Sequence, residues 1–154
     1  MSTTEDPWAL AVGKFVLAFG DIEHTSIALL GCLPECRIPK TAPLIDLKRR
    51  FEILTEVLER CSDEDCQATL RAMKRVQSLL DQRNLLAHNG VWFDVYTDGD
   101  RLVIKQALVS ARNRAKRLTL SQVEQLATQA HSAAADFSSA GVALMKRYSD
   151  EDPE

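Results

Sequence analysis

The sequence lacks long apolar runs, internal repeats and low-complexity stretches. No apolar run approaches the roughly 20 residues that a helix needs to span a bilayer, and the acidic, proline-containing start does not resemble a signal peptide. Hydrophobic residues make up 45% of the chain and charged residues 27%, which excludes wholesale disorder. We therefore expect a cytoplasmic protein without a membrane segment, in which residues 1–154 form a single helical domain.

The sequence also lacks the motifs of several large enzyme classes. No glycine-rich phosphate loop, Ser-His-Asp pattern or paired-carboxylate motif stands out. The net charge of −3 is not that of a general nucleic-acid binder. Residues 101–117 nevertheless hold no acidic residue, and their basic residues can attract the phosphates of RNA unless they form a solvated connector. They are Arg101, Lys105, Arg112, Arg114, Lys116 and Arg117.

Cysteine is scarce and forms two loose pairs near predicted helix ends, Cys32 with Cys36 and Cys61 with Cys66. A reducing cytosol argues against disulfides. The spacings, with three and four residues between partners, overlap those of zinc sites. We predict small free thiols at helix termini, with zinc binding as the alternative.

Hydrophobic periodicity predicts three helices before residue 90. The first follows the stripe Trp8, Val12, Phe15, Phe19, Ile22, Ser26, Leu29, Leu33. Thr41 is expected to cap the second, which has the stripe Leu44, Leu47, Phe51, Leu54, Leu58. Ser62 and the carboxylates after it predict the start of a third helix, which Asn89-Gly90 ends. Its apolar positions are Leu70, Met73, Leu80 and Ala87.

After residue 90 the pattern changes to that of a β-hairpin at about residues 91–108. Two stretches rich in β-branched and aromatic residues flank Asp98-Gly99, a typical hairpin turn. Trp92 and Tyr96 share one face of the hairpin, where they either stack on RNA bases or pack against a helix.

The last long helix begins at a capping box formed by Thr119 and Gln122. Small residues crowd positions 127–141, so another helix of the same core or of a second subunit can approach closely. We therefore predict a mainly α fold, an up-and-down bundle of four to five helices with a hairpin inserted before the last long helix. Residues 149–154 are predicted to form a frayed tail.

The predicted end of the third helix carries an arginine, an amide and a histidine within six residues: Arg83, Asn84 and His88. Histidine exchanges a proton near neutral pH and arginine matches phosphate oxygens, which suits phosphoryl chemistry. Five positions along a regular helix separate the two side chains by about 140°. They converge either if the helix end distorts or if a two-fold partner presents its own pair. Alternatively, His88 is a helix-dipole partner and Arg83 pairs with Glu23 or Asp81.

Arg83, Asn84 and His88 resemble the Arg-polar-x-x-x-His motif of HEPN domains, a helical-bundle superfamily of metal-independent ribonucleases with some inactive relatives. Residues 19–23, Phe-Gly-Asp-Ile-Glu, and the Gly-Val-Trp at 90–92 also resemble uncharacterised bacterial members. The fold resemblance covers about residues 8–148, whereas the specific motif covers only 83–88.

The resemblance implies that His88 and Arg83 are catalytic and that Asn84 orients them or the phosphate. It further implies a homodimer with the site at the subunit interface, an RNA substrate, and no metal or cofactor. The RNA 2′-hydroxyl would attack, leaving a 2′,3′-cyclic phosphate and a 5′-hydroxyl. Glu23 and the adjacent His24 are candidates for supporting contacts, although a surface ion pair is an equal interpretation of Glu23.

The resemblance also suggests a role in bacterial defence or stress and an inhibitory or effector partner protein. A toxin branch of the superfamily has a tyrosine two residues after the histidine, which its antitoxin modifies. Gly90 stands at that position, so control by that route is not expected. The alternative function is a non-catalytic HEPN-like module that binds RNA, a nucleotide or a protein partner.

Overall fold

Within the part of the chain that the structure describes, the fold consists of five α-helices and a small antiparallel sheet, which confirms the mainly helical prediction. The computed structural model describes residues 6–148 in full and the backbone of residues 149 and 150. The helices are α1 (Pro7–Cys32), α2 (Leu47–Glu59), α3 (Glu64–Gln77), α4 (Leu80–His88) and α5 (Leu120–Asp150), with a short 3-10 helix at Ala42–Leu44. The strands are β1 (Val91–Asp98), β2 (Arg101–Val109) and β3 (Arg117–Leu118).

The two long helices α1 and α5 form the centre of the core. Phe15, Ile22 and Leu29, on the predicted stripe of α1, are fully buried. The small residues of α5 pack against α1 of the same chain. Of the two neighbours that the sequence allowed for α5, a helix of its own core or one of a second subunit, the structure shows the first. A Cβ atom added to Gly141 would lie 3.0 Å from Cγ2 of Thr25, so the close approach depends on the absence of a side chain.

Helix α1 is also apolar enough to be compared with a membrane span. By length and composition alone, α1 is long and apolar enough to cross a membrane, with a mean hydropathy of 1.3. The sequence analysis predicts no such segment. Within its most apolar window, 44% is buried inside the protein. The core helix of a globular protein has the same properties, and Phe15 and Ile22 occupy the interior here.

The predicted third helix is two helices rather than one. Its path turns at Ser78 and Leu79, where the Ser78 hydroxyl donates to the carbonyl of Arg75 at 2.7 Å and the Leu79 N–H bonds to Val76 at 2.9 Å. These short-range bonds replace the regular helical pattern. The turn rotates α4, so that Leu86 is buried and Ala87, which we expected in the core, is exposed.

The prediction that Thr41 caps the second helix is wrong. Thr41 precedes the short 3-10 helix and makes no side-chain cap, whereas α2 begins at Leu47 with Asp46 accepting a hydrogen bond from the N–H of Arg49 at 3.1 Å. Leu44 therefore lies outside the helical stripe and is 84% exposed. Pro34, Pro39 and Pro43 lie in the connection between α1 and α2, and Asp46 after them supplies the cap.

The hairpin and the capping box are confirmed. Strand β1 pairs with β2 from Val91 opposite Leu108 to Asp98 opposite Arg101, and Gly99 turns the chain with a φ of 60°. Strand β3 adds to β2, which folds the basic connector between these two strands, residues 110–116, back onto the hairpin. Gln122 accepts from the N–H of Thr119 at 2.8 Å at the start of α5.

The described part of the tail is helical. Helix α5 continues through residues 149 and 150, the first two residues of the segment that we predict to fray. The remaining residues of the predicted tail, 151–154, lie outside the described part of the chain.

The cysteines differ from the expectation of free thiols. Cys61 and Cys66 form a disulfide that closes the connection between α2 and α3. Cys32 and Cys36 are free and half-buried. Burial, with smaller contributions from Glu35 and Cys32, raises the pKa of Cys36 to about 11. The prediction of free thiols is wrong for this pair, because the argument from a reducing cytosol takes no account of the close approach of the two sulfurs in the fold.

Candidate functional site

Helix α4 carries the three motif residues on a short segment that is fixed at both ends. The turn at Ser78 and Leu79 sets its direction, and the chain becomes extended at Asn89 directly after His88. The Asn89 side chain donates to the carbonyl of Leu85 at 2.7 Å and accepts from the N–H of Ala111 at 2.7 Å. Asn89 therefore joins the end of α4 to the start of the basic connector.

Arg83 projects toward α1 and pairs with a carboxylate there. Its Nη2 lies 3.2 Å from Oε1 of Glu23, and its Nη1 lies 3.3 Å from Oδ1 of Asn84. The side chains of Arg83 and Glu23 are 37% and 36% exposed, so the pair is accessible to a ligand from solvent. Of the two acidic partners considered for Arg83, Glu23 is the one that forms the ion pair.

A second arginine, Arg50 of α2, lies behind Glu23. Its Nη1 donates to the backbone carbonyl of Glu23 at 2.9 Å and to Oγ of Ser26 at 2.8 Å, and its Nε donates to the carbonyl of Ile45 at 2.8 Å. Its Nη2 lies 3.8 Å from Oε2 of Glu23. Because Arg50 is only 4% exposed, it fixes the α1 backbone that presents Glu23 to Arg83.

Sequence analysis missed Arg50. A signal was present, because position 50 falls between Leu47 and Leu54 on the buried face of α2. An arginine on an apolar face must find hydrogen-bond acceptors inside the protein, since an unpaired buried charge is strongly unfavourable.

His88 lies exposed in a groove whose wall is the basic connector. This His88 groove has a volume of about 980 Å³, and its charged and motif residues are Asp81, Asn84, His88, Arg112, Lys116 and Arg117. Three of the six basic residues in the range 101–117 thus line the same groove as His88. Asp81 is the single acidic residue among the lining groups. The excess of positive charge favours an anionic ligand at this position.

Arg83 opens into a neighbouring groove rather than into the same one. This Arg83 groove has a volume of about 910 Å³ and includes Glu23, Arg50, Asp81, Arg83 and Asn84. Asp81 and Asn84 line both grooves and so form the ridge between them. Within one subunit, α4 keeps Arg83 and His88 on different faces, as its regular geometry requires.

The remaining predicted residues line neither of these grooves. His24 is exposed on α1 and lines neither groove. Arg101 is exposed at the hairpin turn. Nζ of Lys105 lies 5.2 Å from the ring centre of Tyr96, and the guanidinium of Arg114 lies 5.9 Å from that of Trp92. A hydrogen bond with Tyr96 raises the pKa of Lys105.

One group of potential metal ligands occurs in the part of the chain that the structure describes. The ligand atoms of Cys61, Asp63 and Cys66 lie within 4.8 Å of one another. The two sulfurs are bonded to each other, so neither offers the thiolate that a zinc site needs. The group lies at the connection between α2 and α3, apart from the residues of either groove.

Comparisons of the chain with protein-family models, with curated proteins and with solved structures found no match. The geometry of the two grooves and the resemblance of the α4 motif are therefore the features that bear on function.

Proposed function

We propose that the protein is a homodimeric, metal-independent endoribonuclease of the HEPN type. The observation that carries the proposal is the position of His88, which is exposed in a groove together with Arg112, Lys116 and Arg117. A group that exchanges protons near neutral pH thus lies beside three permanent or nearly permanent cations. That combination suits binding and cleavage of a phosphodiester.

The proposed reaction is attack of an RNA 2′-hydroxyl on the adjacent phosphorus. The bond from O2′ to phosphorus forms, the bond from phosphorus to O5′ breaks, and the products are a 2′,3′-cyclic phosphate and a 5′-hydroxyl. His88 exchanges the protons at O2′ and O5′, while Arg83 neutralises the charge that grows on the phosphate oxygens. Asn84, on the ridge between the grooves, holds Arg83 through the 3.3 Å contact with its guanidinium.

A second copy of the chain completes the proposed site. Because Arg83 and His88 of one subunit open into different grooves, a two-fold arrangement brings the His88 groove of one subunit against the Arg83 groove of the other. From the resemblance we further propose a role in bacterial defence or stress, with an inhibitory or effector partner protein controlling the activity. The cytoplasmic location stays a prediction of the sequence.

A cleavage assay on purified protein tests the proposal. We expect His88→Ala to reduce RNA cleavage on the order of 10²- to 10⁴-fold, the usual contribution of a general acid or base. Arg83→Ala should reduce it by about 10²-fold or more, since it removes charge stabilisation of the transition state. The product ends are identified by treating the fragments with a phosphatase before and after the cyclic phosphate is opened. The cleavage assay is run in buffers with and without a chelator, which tests the independence from metal ions.

His131→Ala is the matched control, because His131 is an exposed histidine on α5 that lines a separate groove against α1. It should cleave RNA at the wild-type rate. Wild-type protein that binds RNA and never cuts it, or a His88→Ala variant as active as His131→Ala, would overturn the nuclease proposal.

The second candidate is a non-catalytic module of the same type that binds RNA, a nucleotide or a protein partner. The ion pair between Arg83 and Glu23 favours it, because Arg83 already has a partner within its own subunit. If Arg83 only supports the fold, Arg83→Ala lowers the melting temperature and Arg83→Lys largely restores it. If Arg83 is catalytic, both variants lose cleavage while the melting temperature changes little.

A further inference from the structure

We infer that one face of the hairpin is a platform on which the bases of single-stranded RNA stack while the RNA backbone lies in the His88 groove. This inference rests on the proposed function, since it names the substrate class of that same site. The stacking face consists of Trp92, Asp94 and Tyr96 on β1, with Ala107, Lys105 and Val103 opposite them on β2.

The register of the hairpin places the two aromatic rings on the same face, where both are partly exposed. Directly opposed residues of an antiparallel pair point to the same side, and alternate residues of one strand do so as well. Trp92 is therefore opposite the small Ala107, and Tyr96 is opposite Val103. Trp92 remains 56% exposed and Tyr96 41% exposed, so each ring offers a surface to a planar ligand.

Cations accompany both rings. Arg114 lies over Trp92 and Lys105 over Tyr96, at 5.9 Å and 5.2 Å from the ring centres. Aromatic rings interleaved with basic groups are the usual composition of single-stranded nucleic-acid surfaces, in which rings stack on bases and cations neutralise phosphates. An uncharged aromatic ligand would gain nothing from the cations, whereas RNA uses both kinds of group.

The stacking face continues directly into the His88 groove through Arg117. The guanidinium of Arg117 pairs with the carboxylate of Asp94, which lies between the two rings, and Arg117 also lines the groove. Strand β3 holds Arg117 in this position by pairing it with Val109 of β2. A chain bound along Arg112, Lys116 and Arg117 therefore leads from His88 to the two rings.

Only unpaired RNA fits this arrangement. In a duplex each base is covered by its neighbours and the base faces cannot reach a protein ring, whereas a single strand can turn its bases outward. A 2′-hydroxyl attack also needs a flexible backbone that can align O2′ with the phosphorus. We therefore assign single-stranded RNA as the substrate class.

The opposite face of the hairpin provides a matched control. Phe93 is 60% exposed and follows Trp92 in β1, but it points to the other side and is opposite Gln106. Its exposed neighbours Val95 and Ile104 on that side carry no charge. An RNA strand extending from the His88 groove along the stacking face does not contact it.

Binding of a short, fluorescein-labelled 2′-O-methyl oligouridylate, measured by fluorescence anisotropy, tests the inference. Methylation blocks the attacking hydroxyl, so binding is measured without cleavage. We expect Trp92→Leu and Tyr96→Leu each to weaken binding on the order of tenfold, the usual effect of removing one stacked base. Phe93→Leu should bind like wild type, and a 2′-O-methyl duplex should bind more weakly than the single strand.

Equal binding by Trp92→Leu, Phe93→Leu and wild type would overturn the stacking face, as would a preference for the duplex or no binding at all. Circular dichroism of each variant checks folding, which we expect to be unchanged because the three side chains are exposed. Quenching of Trp92 fluorescence by the oligonucleotide gives a second measurement, since the other tryptophan, Trp8, is 5% exposed.

The two proposals fail in different ways. If the oligonucleotide binds through Trp92 and natural RNA is never cut, the nuclease proposal fails and the stacking face stands. If natural RNA is cut and Trp92→Leu binds and cuts as well as Phe93→Leu, the stacking face fails and the nuclease proposal stands.

Discussion

Arg50 shows how one residue can organise the surroundings of a site without touching a substrate. Its guanidinium joins α2 to the carbonyl of Glu23 and the hydroxyl of Ser26 on α1, and to the carbonyl of Ile45 in the preceding connection. The Ser26 hydroxyl also donates to the carbonyl of Glu23 at 2.7 Å. These bonds satisfy a charge that is almost completely removed from water and fix the backbone at Glu23, the partner of Arg83.

Replacing Arg50 should therefore destabilise the protein strongly. We expect Arg50→Met to lower the free energy of unfolding on the order of 3 kcal/mol, because it leaves internal acceptors without donors. Urea denaturation followed by circular dichroism measures this change. Arg49→Met is the control on the same helix, since Arg49 is exposed and pairs with Glu52 at the surface. Its removal should change stability far less than the removal of Arg50, because an exposed ion pair contributes little, and similar losses for both variants would contradict the assignment.

At the scale of elements, the packing of α1 against α5 forms the core that supports the grooves. Apolar stripes supply the buried surface, and the small residues of α5 allow the helix axes to approach closely. Gly141 faces Thr25 and Leu29, with 3.0 Å between the position of an added Cβ and the nearest atom of Thr25. The site-bearing helix α4 is different, because it is short and the turn at Ser78 and Leu79 sets its orientation.

We predict that Gly141→Val separates α1 from α5 and lowers the free energy of unfolding by about 2 kcal/mol, a typical result of overpacking. Gly20→Val on α1 should change stability by less than about 0.5 kcal/mol, because a Cβ there has no atom within 4 Å. Thermal unfolding followed by circular dichroism compares the two. If Gly20→Val destabilises the protein as much as Gly141→Val, the loss is not specific to the close contact of Gly141 with Thr25.

At the scale of the whole molecule, the separation of Arg83 from His88 makes the proposed activity depend on assembly. One subunit offers each group in its own groove, with Asp81 and Asn84 between them. In the proposed dimer, the His88 groove of each copy faces the Arg83 groove of its partner. Each site then contains both groups, and two such sites occur in a two-fold dimer.

Mixing two inactive variants tests this assembly. Arg83→Ala and His88→Ala subunits are each expected to lack cleavage alone. A heterodimer of the two regains one complete site, so an equal mixture after subunit exchange should recover about a quarter of the wild-type activity. RNA cleavage before and after exchange, with sedimentation velocity to confirm dimers, provides the measurement. Activity that stays absent although heterodimers form would show that both groups act from the same subunit.

Much of the fold could be predicted from the sequence because the signals are local. The α1 stripe, the hairpin with its turn at Gly99 and the capping box at Thr119 and Gln122 all involve residues within a few positions of one another. The prediction failed where a local signal had a competitor. Asp46 rather than Thr41 caps α2, and the turn at Ser78 and Leu79 divides a helix whose apolar spacing alone suggested continuity.

The sequence by itself determined where the candidate motif lies, at Arg83, Asn84 and His88, and that regular helical geometry keeps the arginine and the histidine apart. Only the tertiary structure decided what surrounds them. It brought Glu23 to Arg83 and set Arg112, Lys116 and Arg117 around His88. Such contacts join residues far apart in the chain, and they depend on how helices and strands pack rather than on any pattern that neighbouring residues can encode.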